Sequence, residues 1–389
     1  MINKIYIAPD DMCTSLKLEM KRAQDFFIAN GWSLAEAPEA ADIILAGTCV
    51  GFENLEKRSL DRIEALNSTG RRVVAVGCLA EFNPTGLAGV HRGPVLKAWE
   101  FEKIESFLKN PAVPLSKIPP ASTFRSRGEY RLYDLSKRYV SVTQGCSFAC
   151  AYCPHTIGCG ELRSRPPDDI LEQIARMLAE NTRIIVLTGV ETSLYGRDIG
   201  ATYPELLRAV LGLGHGFDVH VAQFHPFGAV EYADELGELF GNPRVTDIQI
   251  PVETTSARLL GLMNRLDGAV SVEKLLTGVR KRNGRAVFRT DLLVGFPTET
   301  MEELEESVYF MGKVFDETAV YGFEMKTGAP VAAMGLARIE QDEIRRRVRW
   351  AVQQLDECGR LAHAGAQEDP DMRNLEQRRQ ALRAARGCA

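Results

Sequence analysis

The feature that most limits what this chain can fold into is a repeated alternation of short apolar runs with amphipathic helical stretches, broken once by proline. In residues 1–110, runs at 4–8, 42–46 and 72–76 read as buried strands. Between them, 15–30 and 54–67 carry apolar stripes at helical spacing. The first stripe is Leu16, Met20, Ala23 and Phe27, and Gly31 stops it; the second is Leu55, Leu60, Ile63 and Leu66. Residues 111–137 interrupt the pattern. Pro111, Pro114, Pro119 and Pro120 precede Ser/Arg-rich sequence, and proline fixes φ and lacks an N–H donor, so this reads as an extended linker. The alternation resumes over 138–338, with strands expected at 139–143, 184–187, 218–222, 247–250, 286–291 and 320–324. Helices are expected at 168–180, 204–211, 229–239, 256–264, 272–281 and 301–314. Residues 339–389 read as a helical tail. The pattern predicts an α/β protein: an N-terminal parallel-sheet domain, then a partial (β/α)6 TIM-like barrel with its chemistry at the C-terminal strand ends.

Just past the first expected barrel strand stand Cys146, Cys150 and Cys153, a CxxxCxxC spacing. Three thiolates on one short loop suit three irons of a 4Fe–4S cluster and leave the fourth iron open to a substrate or cofactor. A zinc site ordinarily takes four protein ligands and a CxxC pair with a distant second pair. Buried free thiols have no reason to cluster behind a glycine at a strand end. Tyr152 adds an aromatic side chain at the cluster edge.

A second set is more dispersed. Cys13, Cys49 and Cys78 each follow an expected strand of the first domain, and the C-terminal ends of neighbouring parallel strands converge on one crevice. Gly47 and Gly77 allow close backbone approach there. The three thiols therefore either meet as a second cluster site or are separate core cysteines, since free cysteine is among the most buried residue types. Nine cysteines with no secretory signal point to a reducing cytoplasm and to metal ligation. No apolar run is long enough to span a membrane. The net charge of −5 counts against a grip on many phosphates.

With both thiol sets in view, the chain resembles the radical S-adenosylmethionine (SAM) methylthiotransferases over about residues 3–357. The matching motifs run in order: the Cys13 loop with Glu19, Thr48-Cys49-Val50, Val76-Gly77-Cys78-Leu79-Ala80, the Cys146 loop, and Gly160-Glu161-Leu162-Arg163-Ser164-Arg165-Pro166. They continue with Leu187-Thr188-Gly189 through Tyr195-Gly196, Pro251 through Arg265, Thr290-Asp291 through Gly295-Phe296-Pro297-Thr298-Glu299, and Lys326 through Met334. The resemblance implies two 4Fe–4S clusters. Cys146, Cys150 and Cys153 would hold the one that chelates and reductively cleaves SAM. Cys13, Cys49 and Cys78 would hold the one that carries the transferred sulfur. It also implies SAM contacts at Gly189, Glu191, Glu253 and Arg265, with Asp291 and Gly295 shaping the pocket floor. Arg163 and Arg165 would face substrate or solvent, and His155 and His225 would be structural.

The departures are as telling. Leu16 stands where the family has Asn after its first cysteine. Gly47 replaces the Asn of Asn-Thr-Cys, and Glu253-Thr254-Thr255 replaces Gln-Ser-Gly. Residues 154–159 differ from the usual sequence and add Cys159. The tail shows no alternating strands of the family's C-terminal TRAM barrel. The expected substrate is therefore a peptide or protein, such as a ribosomally made natural-product precursor; the tail either binds it, with Leu361, Leu375 and Leu382 as candidate anchors, or only packs on the barrel. A flavodoxin or ferredoxin would supply the electron. A tRNA base is the alternative substrate, with Arg125, Arg127, Arg131, Lys137 and Arg138 as the basic patch. A non-catalytic iron–sulfur redox protein is the more distant alternative, and the open iron argues against it.

Overall fold

The structure is a computed structural model that describes residues 3–8, 13–124, 137–365 and 372–385. Two parallel sheets organise it. The first is built from β1 (Lys4–Ala8), β2 (Ser33–Leu34), β3 (Ile43–Thr48), β4 (Arg72–Gly77) and β5 (Val95–Lys97), in the order β2-β1-β3-β4-β5. Its helices are α1 (Thr14–Ala29), α2 (Glu53–Asn67), α3 (Leu79–Phe82) and α4 (Pro84–Val90). Strands β3 and β4 are buried on both faces apart from Arg72, as a sheet covered by helices on each side requires. The two short edge strands were not expected from the sequence. Two and three residues are too few to show a period.

Residues 111–124 run as a strap with one 3-10 turn, Leu115–Lys117. The strap lies on α1: Arg22 donates to the carbonyls of Leu115 and Ile118, and Asn30 donates to that of Val113. Leu115, Ile118 and Phe124 enter the core on that face of the first sheet. Arg125, Arg127 and Arg131 lie outside the described residues, whereas Lys137 opens a barrel strand and is buried.

The barrel sheet holds β6 (Lys137–Gln144), β7 (Arg163–Ser164), β8 (Ile184–Gly189), β9 (Asp218–Val221), β10 (Val245–Gln249), β11 (Val287–Val294), β12 (Glu317–Gly322) and β13 (Leu361–Ala364), in the order β13-β12-β11-β10-β9-β8-β6-β7. All pairs are parallel except the short β6–β7 pair at one edge. A four-residue helix, α5 (His155–Gly158), follows the cysteine loop. The outer helices are α6 (Pro167–Ala179), α7 (Tyr203–Gly212), α8 (Pro226–Glu231), α9 (Ala233–Leu239), α10 (Ala257–Leu262), α11 (Ala269–Arg282), α12 (Met301–Val314) and α13 (Gln341–Glu357). The single helix expected at 229–239 is two, divided at Tyr232, whose φ of −121° is not helical.

The tail corrects the sequence reading. It is not helical throughout, because β13 adds a seventh parallel strand beyond β12, ahead of α14 (Met372–Ala385). Leu361 is buried in that strand and is no free anchor; Leu382 is partly exposed, and the side chain of Leu375 lies outside the described residues. Buried Glu317 of β12 ties the tail down, pairing with His363 of β13 at 3.3 Å and with Arg379 of α14 at 2.5 Å. Four residues between helices, two of them alanines, carry too little pattern to announce a strand.

The two domains meet at the C-terminal ends of their strands. Phe52 stacks on Tyr321 with centroids 5.7 Å apart, Lys326 pairs with Glu56 at 3.3 Å, and Gln144 donates to Glu19 at 3.0 Å. Among the described residues no helix is long and apolar enough to cross a membrane.

Candidate functional site

The loop after β6 begins at Gly145, with φ +68°. A Cβ there would lie 1.9 Å from the Glu161 carbonyl, so only glycine permits the turn. Three hydrogen bonds then hold the loop's shape. Cys146 N–H donates to Gly160 O (3.1 Å), Ala151 N–H to Met263 O (2.8 Å), and Val331 N–H to Ala151 O (3.0 Å). Ala151 packs into a small apolar cluster with Met263, Phe296, Phe323 and Val331. The three loop thiols open onto a cavity of about 350 Å³. Gly51 and Phe52 of the first domain line it together with Tyr321, Phe323 and Lys326 of the barrel.

At the base of this cavity Arg265 links several groups. It donates to the Cys150 sulfur at 3.7 Å and to Pro251 O at 2.5 Å, and lies 3.9 Å from Glu253. Tyr152 donates its hydroxyl to Glu253 at 3.1 Å. Glu191 is buried and accepts from the N–H groups of Ser193 (2.8 Å) and His225 (3.3 Å). Burial dominates and pushes its carboxyl up to about 7. Asp291 also lines the cavity and is pushed up to about 7, by burial and then by Glu253.

Glu191, Glu253, Arg265 and Asp291 are thus brought together. Gly189 and Gly295 are not on the cavity wall. A Cβ on Gly189 would sit 2.1 Å from Thr143 Oγ1, so that glycine serves the close packing of β6 and β8. Gly295, at φ +87°, packs against Ile344. Arg163 donates to the Trp99 carbonyl across the domain boundary, and Arg165 to Ser141 O and Gln173.

Two histidines read as structural in sequence line the cavity. His155 Nδ1 lies 3.7 Å from the Cys153 sulfur. His225 stacks on Phe148 at 4.1 Å, and its Nδ1 accepts from Phe227 N–H at 3.0 Å. Burial drives His225 down to about 2, so it is neutral and carries its proton on Nε2. That atom and Arg265 Nε are buried without a hydrogen-bond partner. The position of His225 near a strand end was visible in the sequence, but its place on the cavity wall was not, because the barrel delivers it from a different strand end than the cysteine loop.

The second thiol set follows neighbouring strands. β1, β3 and β4 are neighbours, so Cys13, Cys49 and Cys78 all follow the same end of the first sheet. Cys13 is exposed as a residue, yet burial of its sulfur and then the charge on Cys78 push its thiol up to about 11. Cys49 and Cys78 are buried. The hydrogen bond with Cys159 holds Cys78 down at about 7. Burial, first of all causes, raises Cys146 to about 12 and Cys150 to about 11, and raises Cys153 as well.

These donors suit polynuclear iron. Among the described residues no three His, Cys, Asp or Glu side chains converge on a single ion; the fit to iron rests on the donor set, three thiols on one loop and three more at neighbouring strand ends. Buried thiols facing carboxylates stay protonated until a metal supplies positive charge. The unpartnered donors on Arg265 and His225 suit a polar ligand beside the loop.

Residues 140–311 match the Radical SAM superfamily model, and residues 13–94 match the model described as Uncharacterized protein family UPF0004. Similar proteins include a Ribosomal protein uS12 methylthiotransferase RimO from Thermotoga petrophila, 28% identical over 74% of this chain and 69% of its own length. A Threonylcarbamoyladenosine tRNA methylthiotransferase from Drosophila pseudoobscura pseudoobscura is 29% identical over 82% of this chain and 60% of its own. A tRNA-2-methylthio-N(6)-dimethylallyladenosine synthase from Methylacidiphilum infernorum is 26% identical over 83% of this chain and 74% of its own. Among solved structures, the radical S-adenosylmethionine methyltransferase TsrM from Kitasatospora setae superposes with a TM-score of 0.62. It is 14% identical and covers 85% of this chain and 75% of its own, which is a likeness of fold.

Proposed function

We propose that this chain, which belongs to the radical SAM methylthiotransferase family, inserts a methylthio group at an unactivated C–H bond of a peptide or protein. The observation that carries the reading is one cavity bounded by the Cys146/Cys150/Cys153 loop, by the Glu253–Arg265 pair and by the first domain's Gly51–Phe52, with the Cys49 sulfur accepting from Gly51 N–H at 3.5 Å behind that wall. Its cofactors are two 4Fe–4S clusters and SAM. The loop cysteines would hold one cluster and Cys13, Cys49 and Cys78 the other. When bound, these groups supply reductive cleavage of SAM to a 5′-deoxyadenosyl radical and the sulfur that is methylated and transferred.

The chain's own side chains do the placing. Glu191 and Glu253 would receive the SAM amino group, as carboxylates suit a cationic amine. Arg265, with Nε unpartnered, and neutral His225, with Nε2–H unpartnered, would donate to its carboxylate. The Phe52–Tyr321 stack and the Lys326–Glu56 pair close the domain boundary and keep water from the reacting centre. A one-electron donor of the flavodoxin or ferredoxin kind would serve the loop cluster, in a reducing cytoplasm.

The cavity's charges favour a peptide or protein over a nucleic acid. The Lys and Arg side chains lining it, Arg265 and Lys326, are both paired with carboxylates. With Arg265 Nε given to the SAM carboxylate in this reading, neither is left for a phosphate. The test is to incubate reconstituted enzyme with SAM and reductant, separately with ribosomal protein uS12, with peptides encoded near its gene, and with total tRNA. The expected result is a mass gain of methylthio for hydrogen on a peptide or protein. The same gain on a tRNA nucleoside, with none on any polypeptide, assigns the tRNA reaction instead.

A further inference from the structure

Cys159 has no part in the chemistry above, yet it is the thiol that touches the second set. Its sulfur lies 3.6 Å from that of Cys78, and both residues are 5% exposed. By sequence it follows the loop cysteines; by position it belongs to the first domain, in whose core it packs with Cys78, Leu79 and Ala46. The short helix α5 carries it there. Cys159 N–H donates to His155 O at 2.9 Å, which closes the turn. Gly158 lets this turn lie against the start of α3, because a Cβ on it would stand 2.8 Å from Cys78 Cβ and 3.2 Å from Cys78 O. A glycine at the point of closest approach and a buried sulfur–sulfur contact are independent marks of one arrangement.

We propose that Cys159 is the fourth thiolate ligand of the cluster held by Cys13, Cys49 and Cys78, so that this cluster rests with all four irons ligated by the protein. The inference rests on reading those three cysteines as cluster ligands. Four cysteines are the full complement for a 4Fe–4S cluster, and a cysteine adjoining one cluster motif ligates the other cluster in two-cluster ferredoxins. The consequence is a closed sulfur site. A thiol could take the fourth iron only by displacing Cys159, its sulfur binding as the iron–Cys159 bond breaks and its proton passing to the departing thiolate with no electron transferred; at rest Cys159 would hold that iron against methanethiolate.

The test uses the full chain carrying C146A/C150A/C153A, reconstituted anaerobically so that the first-domain cluster stands alone, with and without an added Cys159→Ala. Three measurements are made: iron content, the electron paramagnetic resonance spectrum of the reduced cluster with and without methanethiolate, and iron content after brief mild oxidation. With Cys159 present, methanethiolate should leave the spectrum unchanged and oxidation should leave about four irons. Without it, methanethiolate should change the spectrum and oxidation should leave about three. Circular dichroism and Cys159→Ser control for folding. Spectra that respond alike to methanethiolate with and without Cys159 overturn the proposal and leave the cluster reading intact. A C146A/C150A/C153A chain that holds no cluster overturns the cluster reading itself, and the proposal with it.

Discussion

Glu253 faces Arg265 across 3.9 Å while its own backbone sits in the left-handed region, at φ +71°. A non-glycine residue held there costs on the order of 1 kcal/mol or more and persists where the surroundings over-determine it. Here they do: Glu253 N–H donates to Asp291 O and its carbonyl accepts from Leu293 N–H, each at 2.9 Å. The strained backbone aims a carboxylate at the base of the cavity. Arg265→Lys keeps a charge but loses the planar fork that reaches Cys150, Pro251 and Glu253 together. SAM affinity of the reconstituted variant, measured by equilibrium binding, should fall by about tenfold or more, from the loss of about 1.5–3 kcal/mol in charge-assisted bonds. An unchanged affinity would remove Arg265 from the SAM site.

Iron and acid-labile sulfide should each approach about eight per chain after anaerobic reconstitution, the sum of two four-iron clusters. C146A/C150A/C153A should leave about half. A fully reconstituted wild type that stops at about four irons contradicts the second site.

The two thiol sets should fail in different ways. Without Cys146, Cys150 and Cys153, 5′-deoxyadenosine formation should cease. Without Cys13, Cys49 and Cys78 it should continue, while methylthio transfer is lost. Chromatography of both products from the two triple variants checks this, and equal loss of deoxyadenosine in two folded variants speaks against the division.

Gly158→Ala joins a better helix former to a worse fit. The gain in helix propensity is about 1 kcal/mol. The new methyl meets Cys78 Cβ at 2.8 Å, and overpacking of this kind costs about 1–3 kcal/mol. The expected net effect is a lower thermal midpoint and less iron on the first-domain set, read in the C146A/C150A/C153A background.

Glu299 lies outside the cavity and gives a pH test of the fold. It is buried, accepts from Gly295 N–H at 2.8 Å and pairs with Arg347 at 3.2 Å; burial outweighs both and raises its carboxyl to about 7. The folded state therefore binds a proton that the unfolded state has released between about pH 4.5 and 7. From this group, stability falls as pH rises through that window. Glu299→Gln should flatten the fall by up to about 3 kcal/mol in denaturant melts at pH 5 and 7.5. An unaltered slope would show that the pair with Arg347 keeps Glu299 ionised.

The sequence disclosed what repeats and what is local. Val73–Val76 and Ile184–Leu187 are apolar runs of strand length, and their alternation with helices such as 301–314 fixed two parallel sheets in the reading. Cys146, Cys150 and Cys153 lie within one loop, so their association needed no fold. Cys13, Cys49 and Cys78 needed the sheet to become neighbours, and Cys159 needed both domains in contact, which no spacing records. His225 was read as structural for a similar reason: its stacking on Phe148 joins two loops far apart in the chain. β13 escaped because Leu361–Ala364 is short and takes its strand geometry from pairing with β12, not from its own pattern.

The cysteine loop's hydrogen bonds to Met263 and Val331 set an order of events during synthesis. Ala151 cannot be tied on both sides until the chain has been made at least as far as residue 331, nearly two hundred residues after the loop leaves the ribosome. The first domain, complete long before, has no such wait. Newly made chains should thus be able to acquire iron at the first-domain thiols while the barrel is still growing. The loop thiols become a shaped site only when the barrel's last strands arrive, so a cell starved of iron would accumulate finished barrels whose SAM site was never filled.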